Sequence, residues 1–295
     1  MVLTHGFVQS EYGSGHIVRL SNLELDSYTY LSGVYKSSDI RDKLMDLLDT
    51  PADAIIFEGF PFDRYDWKDA EVEAILNELK QQDRIIISSV RDIVPPWEPE
   101  KEIRAQKTVE WANDYFDYIL VHSDPKFCKL EDSFPYVALI DVPIIYTGYV
   151  CGEPYRPGIQ PIPRRGWLVS VGNGEKSEEC FSWAIEKWGC FGKTTFCAGA
   201  LTSDHIKRKV STHNHKIVNV NRDTFLSLLK ASQMHLGHCG YNTFTDVVQT
   251  KTPSVWFAKP ESGDQPIRIG LWNKRSIRNL KMDGVSETKK FLSAL

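Results

Sequence analysis

Short apolar runs separated by longer polar stretches are the main pattern of this 295-residue sequence. A short run that is apolar throughout is typical of a parallel strand covered on both faces. Such runs predict strands at residues 2–8, 54–57, 84–88, 118–122, 167–171, 216–218, 234–236 and 254–257. Between them, apolar residues at helical spacing predict helices at residues 70–82, 100–113, 177–188 and 222–232. Alternating strands and helices indicate βαβ units with right-handed crossovers, and so an α/β fold.

The segment 152–166 interrupts this pattern, because it contains four prolines and three glycines. Dense proline removes backbone donors and stiffens the chain as a linker. We therefore predict two domains, residues 1–158 and residues 159–295. Few residues separate the glycines near position 15 from the strand at 54–57, so the first domain is expected to be reduced.

Composition narrows the function classes. Hydrophobic residues make up 42% and charged residues 25%, which is typical of a folded globular protein. The net charge of −4 gives no reason to expect a nucleic-acid partner. No apolar run is long enough for a transmembrane helix, and the first ten residues do not form a signal peptide. The six cysteines form no CxxC motif, so we expect reduced thiols and a cytoplasmic location, with peripheral membrane association left open.

The sequence GHCGYNTFTDVVQTK, beginning at Gly237, carries the strongest chemical signal. A glycine-rich turn follows the strand predicted at 234–236, and Asn242 and Thr243 stand where a helix would begin. Backbone N–H groups and the helix dipole make such a helix end a phosphate site. Asp246 lies one helical turn after Thr243, so both can face one ligand. Its carboxylate could accept two hydrogen bonds from a ribose diol.

Two further polar residues belong to the same candidate site. His238 lies in the turn and could touch the ligand. Gln265 follows the next predicted strand, at the carboxyl edge where α/β sheets bind ligands. Among the other histidines, His235 alternates into a strand and is interpreted as a core residue. We predict no metal site, because His213 and His215 have no cysteine or carboxylate nearby at ligand spacing and no DxD-type cluster appears.

These residues resemble the nucleotide-sugar motif of GT-B glycosyltransferases. The similarity is to family 28, the peptidoglycan N-acetylglucosaminyltransferase type, and especially to its uncharacterised bacterial relatives. That family has a glycine, a threonine three residues later and an acid six residues later, as at Gly240, Thr243 and Asp246. The family usually has glutamate at the acid, so the aspartate departs from its pattern by one methylene. Gln265 matches a glutamine that contacts the donor sugar in the family.

The likeness covers roughly residues 1–20 and 52–275. In the first half it includes SSVRDI at 88–93, YFDYILVHSDP at 115–125 and YTGYV at 146–150. It implies two Rossmann-like domains with a cleft between them, an acceptor-side domain first and a nucleotide-sugar-binding domain second.

Two glycine-containing loops fit this resemblance. Gly13 and Gly15 precede His16, and glycine lets the backbone turn tightly near a ligand. In the family, a histidine after the first strand and before a helix faces the scissile bond, and His16 could act there as a base; the alternative is a histidine packed beneath the turn. The second loop follows the strand predicted at 167–171, where the family has a glycine-rich loop near the diphosphate. It comprises Gly172, Asn173 and Gly174, which would otherwise be an ordinary strand-to-helix turn.

Two acidic residues at predicted strand ends are further candidates for catalysis. Asp92 follows Arg91, and the alternative is that these two charges form a structural salt bridge. Glu58 follows the strand at 54–57 and points toward the same carboxyl edge. Either carboxylate could serve as the general base.

The sequence thus predicts an inverting, metal-independent glycosyltransferase that moves a sugar from a nucleotide-sugar, most simply a UDP-sugar, to an acceptor hydroxyl. No bound cofactor is expected, and the acceptor is a small molecule or a lipid-linked one. Two alternatives remain. The first is a nucleotide-sugar hydrolase of the pseudaminic-acid pathway, because such enzymes have a GxGHxxR loop similar to residues 13–19 and a similar chain length. A non-catalytic nucleotide-sugar-binding protein would explain the reduced first domain.

Overall fold

The computed structural model describes residues 2–5, 16–19, 30–31, 54–62, 69–95, 101–151, 163–171, 177–188, 193–198, 202–212, 215–258 and 263–295. The chain forms two compact units. Unit 1 extends to Gly152 and resumes from Arg275 to Leu295, while unit 2 extends from Glu153 to Lys274. The sequence predicted a boundary at 158/159 and gave the C-terminal residues to the second domain. In the structure, residues 275–295 belong to unit 1 instead.

Unit 1 contains a five-stranded sheet in which every neighbouring pair is parallel, in the order β3-β4-β5-β6-β7. Its strands are β3 (Tyr30–Leu31), β4 (Ala54–Glu58), β5 (Ile85–Val90), β6 (Tyr118–Val121) and β7 (Ile144–Tyr146), and its helices include α1 (Asp69–Gln81) and α2 (Lys101–Tyr115). The predicted strands at 54–57, 84–88 and 118–122 and helices at 70–82 and 100–113 are confirmed within about two residues.

A separate two-stranded ribbon precedes this sheet in the sequence. It pairs β1 (Val2–His5) with β2 (His16–Arg19) in antiparallel register. The prediction that residues 2–8 form a parallel strand is therefore wrong, and β2 rather than a helix follows the glycine loop. An apolar run does not fix pairing direction, and antiparallel strands can be joined by a short loop, whereas parallel strands need a long crossover. The expected reduction of the first domain falls mainly on residues outside the described ranges.

The two faces of the unit 1 sheet are covered by different helices. Val90, Ile119 and Val121 pack with Ala105 and Val109 of α2. On the opposite face lie residues at alternate positions, because successive strand side chains point to opposite sides. There Ile56, Ile87 and Leu120 pack with Leu292 of the C-terminal helix α8 (Gly284–Leu292), which was not predicted.

Backbone and side-chain hydrogen bonds hold the C-terminal segment on unit 1. Asp124 accepts a hydrogen bond from the Lys281 N–H at 2.8 Å. The Tyr149 N–H donates to the Lys281 carbonyl at 2.7 Å, and Gly284 N–H donates to the Tyr149 carbonyl at 3.1 Å. Phe291 of α8 also packs edge-on against Tyr118 of β6. These contacts explain why residues 275–295 return to the first unit.

Unit 2 also has a five-stranded parallel sheet, but in the order β10-β9-β8-β11-β12. Its strands are β8 (Trp167–Ser170), β9 (Thr194–Ala198), β10 (Lys216–Asn219), β11 (Met234–His238) and β12 (Ser254–Phe257). Its helices are α3 (Ser177–Trp188), α4 (Asp204–Thr212), α5 (Arg222–Ala231), α6 (Tyr241–Thr250) and α7 (Gln265–Lys274). All the elements predicted in this half are confirmed, whereas β9, α4 and α7 were not predicted.

Helices cover both faces of the unit 2 sheet. On one face, Val169, Phe196 and Leu236 pack with Phe181 of α3 and Ile206 of α4. On the other face, residues of the strands and of α5, α6 and α7 form a second cluster, comprising Leu168, Cys197, Leu229, Val247, Val218, Phe225, Trp256 and Trp272. Unit 2 is therefore a doubly wound α/β domain of the Rossmann type.

Candidate active site

The strand order of unit 2 creates a topological switch point. From β8 the chain moves to β9 and β10 on one side, and then crosses to β11 and β12 on the other. The connections that leave β8 and β11 therefore lead to strands on opposite sides of the sheet, and doubly wound folds bind ligands at such a switch point, beside the carboxyl ends of the strands. Ser170 lies beside Gly237 in the β8–β11 register. The predicted donor site follows these same two strand ends.

Glycines 237 and 240 shape the turn at the end of β11, for different reasons. A Cβ at Gly237 would overlap the carbonyl oxygen of Ser170 and approach the His235 ring to 2.9 Å. Gly237 is therefore required by close packing. Gly240 is the N-cap of α6 with φ −68° and ψ 155°, and a Cβ there would meet no atom of the described residues within 4 Å. Within that part of the chain, the space in front of the α6 N-terminus is thus open at this position.

A buried arginine anchors this turn. Arg268 of α7 is fully buried, and its Nη1 donates to the Cys239 carbonyl at 2.5 Å. Its Nη2 donates to Asp264 at 2.5 Å. In a trans peptide the C=O and N–H groups point in opposite directions, so the Gly240 N–H points away from Arg268. The first N–H groups of α6 also lack intrahelical partners by geometry, which gives this end partial positive charge.

The predicted donor residues of α6 differ in exposure. Asn242 and Thr243, in its first turn, are half-buried. The Asn242 carbonyl accepts a hydrogen bond from Thr245 Oγ1 at 2.8 Å, within the same helix. Asp246 lies one turn further on and is 3% exposed. Asn242 and Thr243 therefore keep part of their surface exposed, while Asp246 is buried.

His238 and Gln265 border the same turn. The His238 ring stacks on Phe257 of β12 with a centroid separation of 5.6 Å, and Phe257 in turn contacts Trp183 of α3. Gln265 begins α7, next to the Asp264 that holds Arg268. Its Oε1 is buried and makes no hydrogen bond among the described residues. The structure thus brings His238, Gly240, Asn242, Thr243 and Gln265 around one turn.

Several predicted residues lie outside the described ranges. They are the glycine-loop residues Gly13 and Gly15 and the second-loop residues Gly172, Asn173 and Gly174. His16 is described for its backbone, which begins β2. Their predicted roles remain predictions.

In unit 1, Glu58 and Arg91 meet at the carboxyl ends of β4 and β5. Arg91 Nη2 lies 3.5 Å from Glu58 Oε1, with side chains 35% and 12% exposed. Asp92 is fully buried, and its carbonyl accepts a hydrogen bond from Cys128 Sγ at 3.0 Å. The salt bridge at this strand end therefore joins Arg91 to Glu58 across two strands.

A buried polar chain crosses the same edge, and sequence reasoning missed it. Ser89 Oγ lies 2.9 Å from His122 Nε2, and His122 Nδ1 lies 2.8 Å from Thr147 Oγ1. Because Thr147 Oγ1 donates to the Gly148 carbonyl at 2.9 Å, it accepts from Nδ1–H, and Nε2 accepts from Ser89. The signal in the sequence was polar residues at the ends of three successive strands.

His235 of unit 2 is confirmed as a core residue. It is fully buried, and its Nε2 lies 2.8 Å from Ser170 Oγ. The Trp256 ring lies edge-on at 5.4 Å from it. Burial lowers the pKa of His235 to about 3, so the ring is neutral at physiological pH and packs rather than titrates.

Among the described residues, no three histidine, cysteine or acidic side chains lie close enough together to hold a metal ion. Within the same residues, every helix is too short or too polar to cross a membrane.

Comparison with known proteins identifies the fold. No protein-family model matches the sequence, and no curated protein matches it. Among solved structures, the calicheamicin glycosyltransferase CalG4 is 14% identical, with 88% of this chain and 70% of that chain covered and a TM-score of 0.52. UGT89C1 of Arabidopsis thaliana, complexed with UDP-L-rhamnose, is 14% identical, with 85% and 66% covered and a TM-score of 0.51. The glycotransferase of kitacinnamycin is 13% identical, with 90% and 76% covered and a TM-score of 0.50.

At these identities the likeness shows the fold. The chain has the α/β architecture of the GT-B glycosyltransferases, with a parallel sheet in each of two units. The predicted fold class is thereby confirmed. The assignment to family 28 stays a prediction.

Proposed function

We propose that this chain is a glycosyltransferase that moves a sugar from a nucleotide-sugar to an acceptor hydroxyl. The observation that carries the proposal is the glycine-capped N-terminus of α6 at the switch point of unit 2, where the described residues leave space beside Gly240. A helix end at this position is suited to a diphosphate, because its N–H groups and dipole favour negative charge. Several structural neighbours were solved with UDP or a UDP-sugar, which supports a UDP-sugar as donor.

The donor would be held by residues around this turn. Asn242 and Thr243 would hydrogen-bond the diphosphate, with Gly172, Asn173 and Gly174 completing the pocket from the β8 side. Asp246 would accept the ribose hydroxyls, His238 would contact the diphosphate, and Gln265 would contact the sugar. The buried Oε1 of Gln265 supports this last role, because a buried acceptor without a hydrogen bond is costly.

Donors arranged in this way would also favour the reaction. Negative charge grows on the diphosphate as the bond to the anomeric carbon breaks, and fixed N–H dipoles stabilise it without reorganising. We therefore propose a metal-independent step with inversion, in which the acceptor oxygen attacks opposite the leaving diphosphate.

For the general base we propose His16. The other two candidates are less suited in the folded chain. Asp92 is fully buried, and Glu58 is engaged with Arg91. His16 would accept the acceptor proton near neutral pH, where an unperturbed imidazole titrates.

Donor binding is tested by calorimetric titration with UDP. Asp246→Asn is expected to weaken UDP binding at least tenfold, whereas Asp223→Asn, at an exposed position of α5, leaves it unchanged. A thermal-shift measurement without ligand shows whether each variant is folded. With UDP at 100 times its Kd, a variant that binds it should gain about 2.7 kcal/mol of stability. If Asp246→Asn does not fold, Thr243→Val replaces it. Equal UDP affinity in the variant and its control would contradict the proposed site.

Catalysis is tested by UDP release from a UDP-sugar. His16→Ala is expected to bind UDP normally and to lose turnover about 100-fold or more. Release that needs an acceptor indicates transfer. Steady release from a UDP-sugar alone would assign the chain to hydrolysis instead, and the absence of any release would indicate a binding protein.

A further inference from the structure

Arg91 and Arg275 of unit 1 offer a matched comparison. Each side chain is 35% exposed, and each faces a carboxylate. Arg275 forms a two-pronged contact with Asp132, at 2.5 and 2.7 Å, and its Nη1 also donates to the Phe127 carbonyl at 2.7 Å. Burial alone would raise the pKa of Asp132, but the hydrogen bonds from Arg275 lower it. Arg275 thus makes three hydrogen bonds to the protein.

Arg91 is used differently. Within the described part of the chain, its guanidinium makes an ion pair with Glu58 at 3.5 Å and no hydrogen bond. A guanidinium carries five donors arranged as a planar fork. Its donors are therefore left largely to solvent or to a ligand, although its neighbour is a carboxylate.

The base of Arg91 is rigid. Arg91 follows β5 directly. The last residue of β5, Val90, accepts a hydrogen bond through its carbonyl from the N–H of His122, which follows the neighbouring strand β6, at 2.8 Å. On its other side, Cys128 Sγ donates to the Asp92 carbonyl, and the Val94 N–H donates to Ser133 Oγ at 2.9 Å. A long side chain on a fixed backbone, steadied by one carboxylate, loses less entropy when it binds.

The position is also one where ligands bind. In the β4–β5 register Glu58 lies beside Ser89, and Arg91 is two residues further on. Paired residues of neighbouring strands share a face, so Glu58 and Ser89 lie on one face at the carboxyl edge of the sheet, and Arg91, which follows β5, reaches Glu58 there. Ligands of open α/β sheets bind outside this edge.

We propose that Arg91, tethered by Glu58, is the subsite for an anionic group, a carboxylate or a phosphate, carried by the acceptor. The fork of a guanidinium matches the paired oxygens of either group, and such contacts are stronger than neutral hydrogen bonds. The assignment to the acceptor rests on the proposed function, because the donor's own phosphates are assigned to unit 2. The acceptor class would then be an acidic sugar, a phosphorylated small molecule or a lipid phosphate.

The test observes Arg91 directly. In ¹⁵N spectra of the full chain, the Arg91 Nε–H signal is assigned by its loss in Arg91→Lys, and that of Arg275 by its loss in Arg275→Lys. Inorganic phosphate and acetate are titrated separately at constant ionic strength. We expect the Arg91 signal to shift and saturate at millimolar anion, with the Arg275 signal unmoved. Saturation by one anion and not the other selects phosphate or carboxylate.

An unshifted Arg91 signal, or a linear drift shared with Arg275, would overturn the proposal. UDP added to the same sample separates it from the proposed function. If phosphate saturates Arg91 while UDP does not bind, the anion subsite stands and the donor assignment falls. If UDP binds while neither anion moves Arg91, the donor site stands and this subsite falls.

Discussion

Each unit contains one buried serine–histidine pair among its described residues, and the two pairs differ in where they lie. In unit 1, His122 follows β6 and joins Ser89 to Thr147, so three adjacent strands are linked at the carboxyl edge. In unit 2, His235 lies within β11, is bonded to Ser170 and is surrounded by aromatic rings. His122 therefore ties an edge together, while His235 fills a core.

This difference matches the way each sheet presents its carboxyl edge. The unit 1 edge is linked laterally by side chains, and the returning C-terminal segment binds beside it through Asp124 and Tyr149. The unit 2 edge is divided at the switch point, where, among the described residues, no atom lies within 4 Å of a Cβ placed on Gly240 at the α6 N-terminus. One edge is thus suited to holding side chains in place, and the other to admitting a ligand between backbone groups.

The largest expected effect comes from removing the edge histidine. His122→Leu leaves Ser89 and Thr147 without their shared partner, and we expect a loss of about 3 kcal/mol. His235→Leu leaves only Ser170 without its hydrogen-bond partner and adds apolar packing, so we expect a loss of stability of about 1 kcal/mol. Hydrogen exchange of peptides from β5–β7 and from β8–β11 measures each unit separately.

A double variant controls for this reasoning. In Ser89→Ala/His122→Leu the unsatisfied Ser89 hydroxyl is absent, so this double variant should be more stable than His122→Leu. Equal losses for the two single variants, or no recovery in the double variant, would show that the edge chain does not differ from the core pair.

The next effect separates packing from binding within the unit 2 turn. Gly237→Ala forces a methyl group against Ser170 and His235, with an expected cost of about 2 kcal/mol. Gly240→Ala has open space for its methyl group and should change stability by less than about 0.5 kcal/mol. Its methyl group would instead stand in front of α6 and weaken UDP binding. Urea unfolding and UDP titration of both variants check this, and a stable, UDP-binding Gly237→Ala protein would refute it.

The smallest effect is acid sensitivity of the core pair. The folded pKa of His235 is about 3, below its unfolded value of 6.5, so the unfolded chain takes up the proton first. Stability is fully present above pH 6.5 and is lost as pH falls toward 3. From about pH 7.5 to about pH 5.5 this group should remove about 1.4 kcal/mol. His235→Gln should remove that dependence from unit 2, and an unchanged pH profile would show that His235 is not the cause.

Sequence reasoning predicted the strands whose apolar runs are buried on both faces, such as β4 and β11, because that pattern leaves few alternatives. It missed α8, since the buried face of that helix is Gly284, Thr288 and Leu292. The other apolar residues of α8 that pack on unit 1 are Val285 and Phe291, so the helix has few apolar positions and a threonine stands among them. It also missed the short strand β9.

For the candidate site, features formed by residues close together in the sequence could be predicted, and features formed by distant residues could not. The turn at Gly237–Gly240 and the start of α6 could be predicted, because strand, turn and helix are consecutive in the sequence. The pairing of Arg91 with Glu58 could not, since Arg91 also stands next to Asp92 and strand register decides which carboxylate it meets. Likewise, the chain through His122 joins residues that are far apart in sequence.

The return of residues 275–295 to unit 1 has a consequence for biosynthesis. The sheet of unit 2 is built from one continuous stretch of chain from 153 onward, so it can form while the ribosome is still translating. Unit 1 must wait, because the face of Ile56, Ile87 and Leu120 lacks α8 until residues 284–292 have been synthesised. Unit 1, although its synthesis begins first, is therefore completed after unit 2. A nascent chain stalled before residue 275 would expose that apolar face to chaperones.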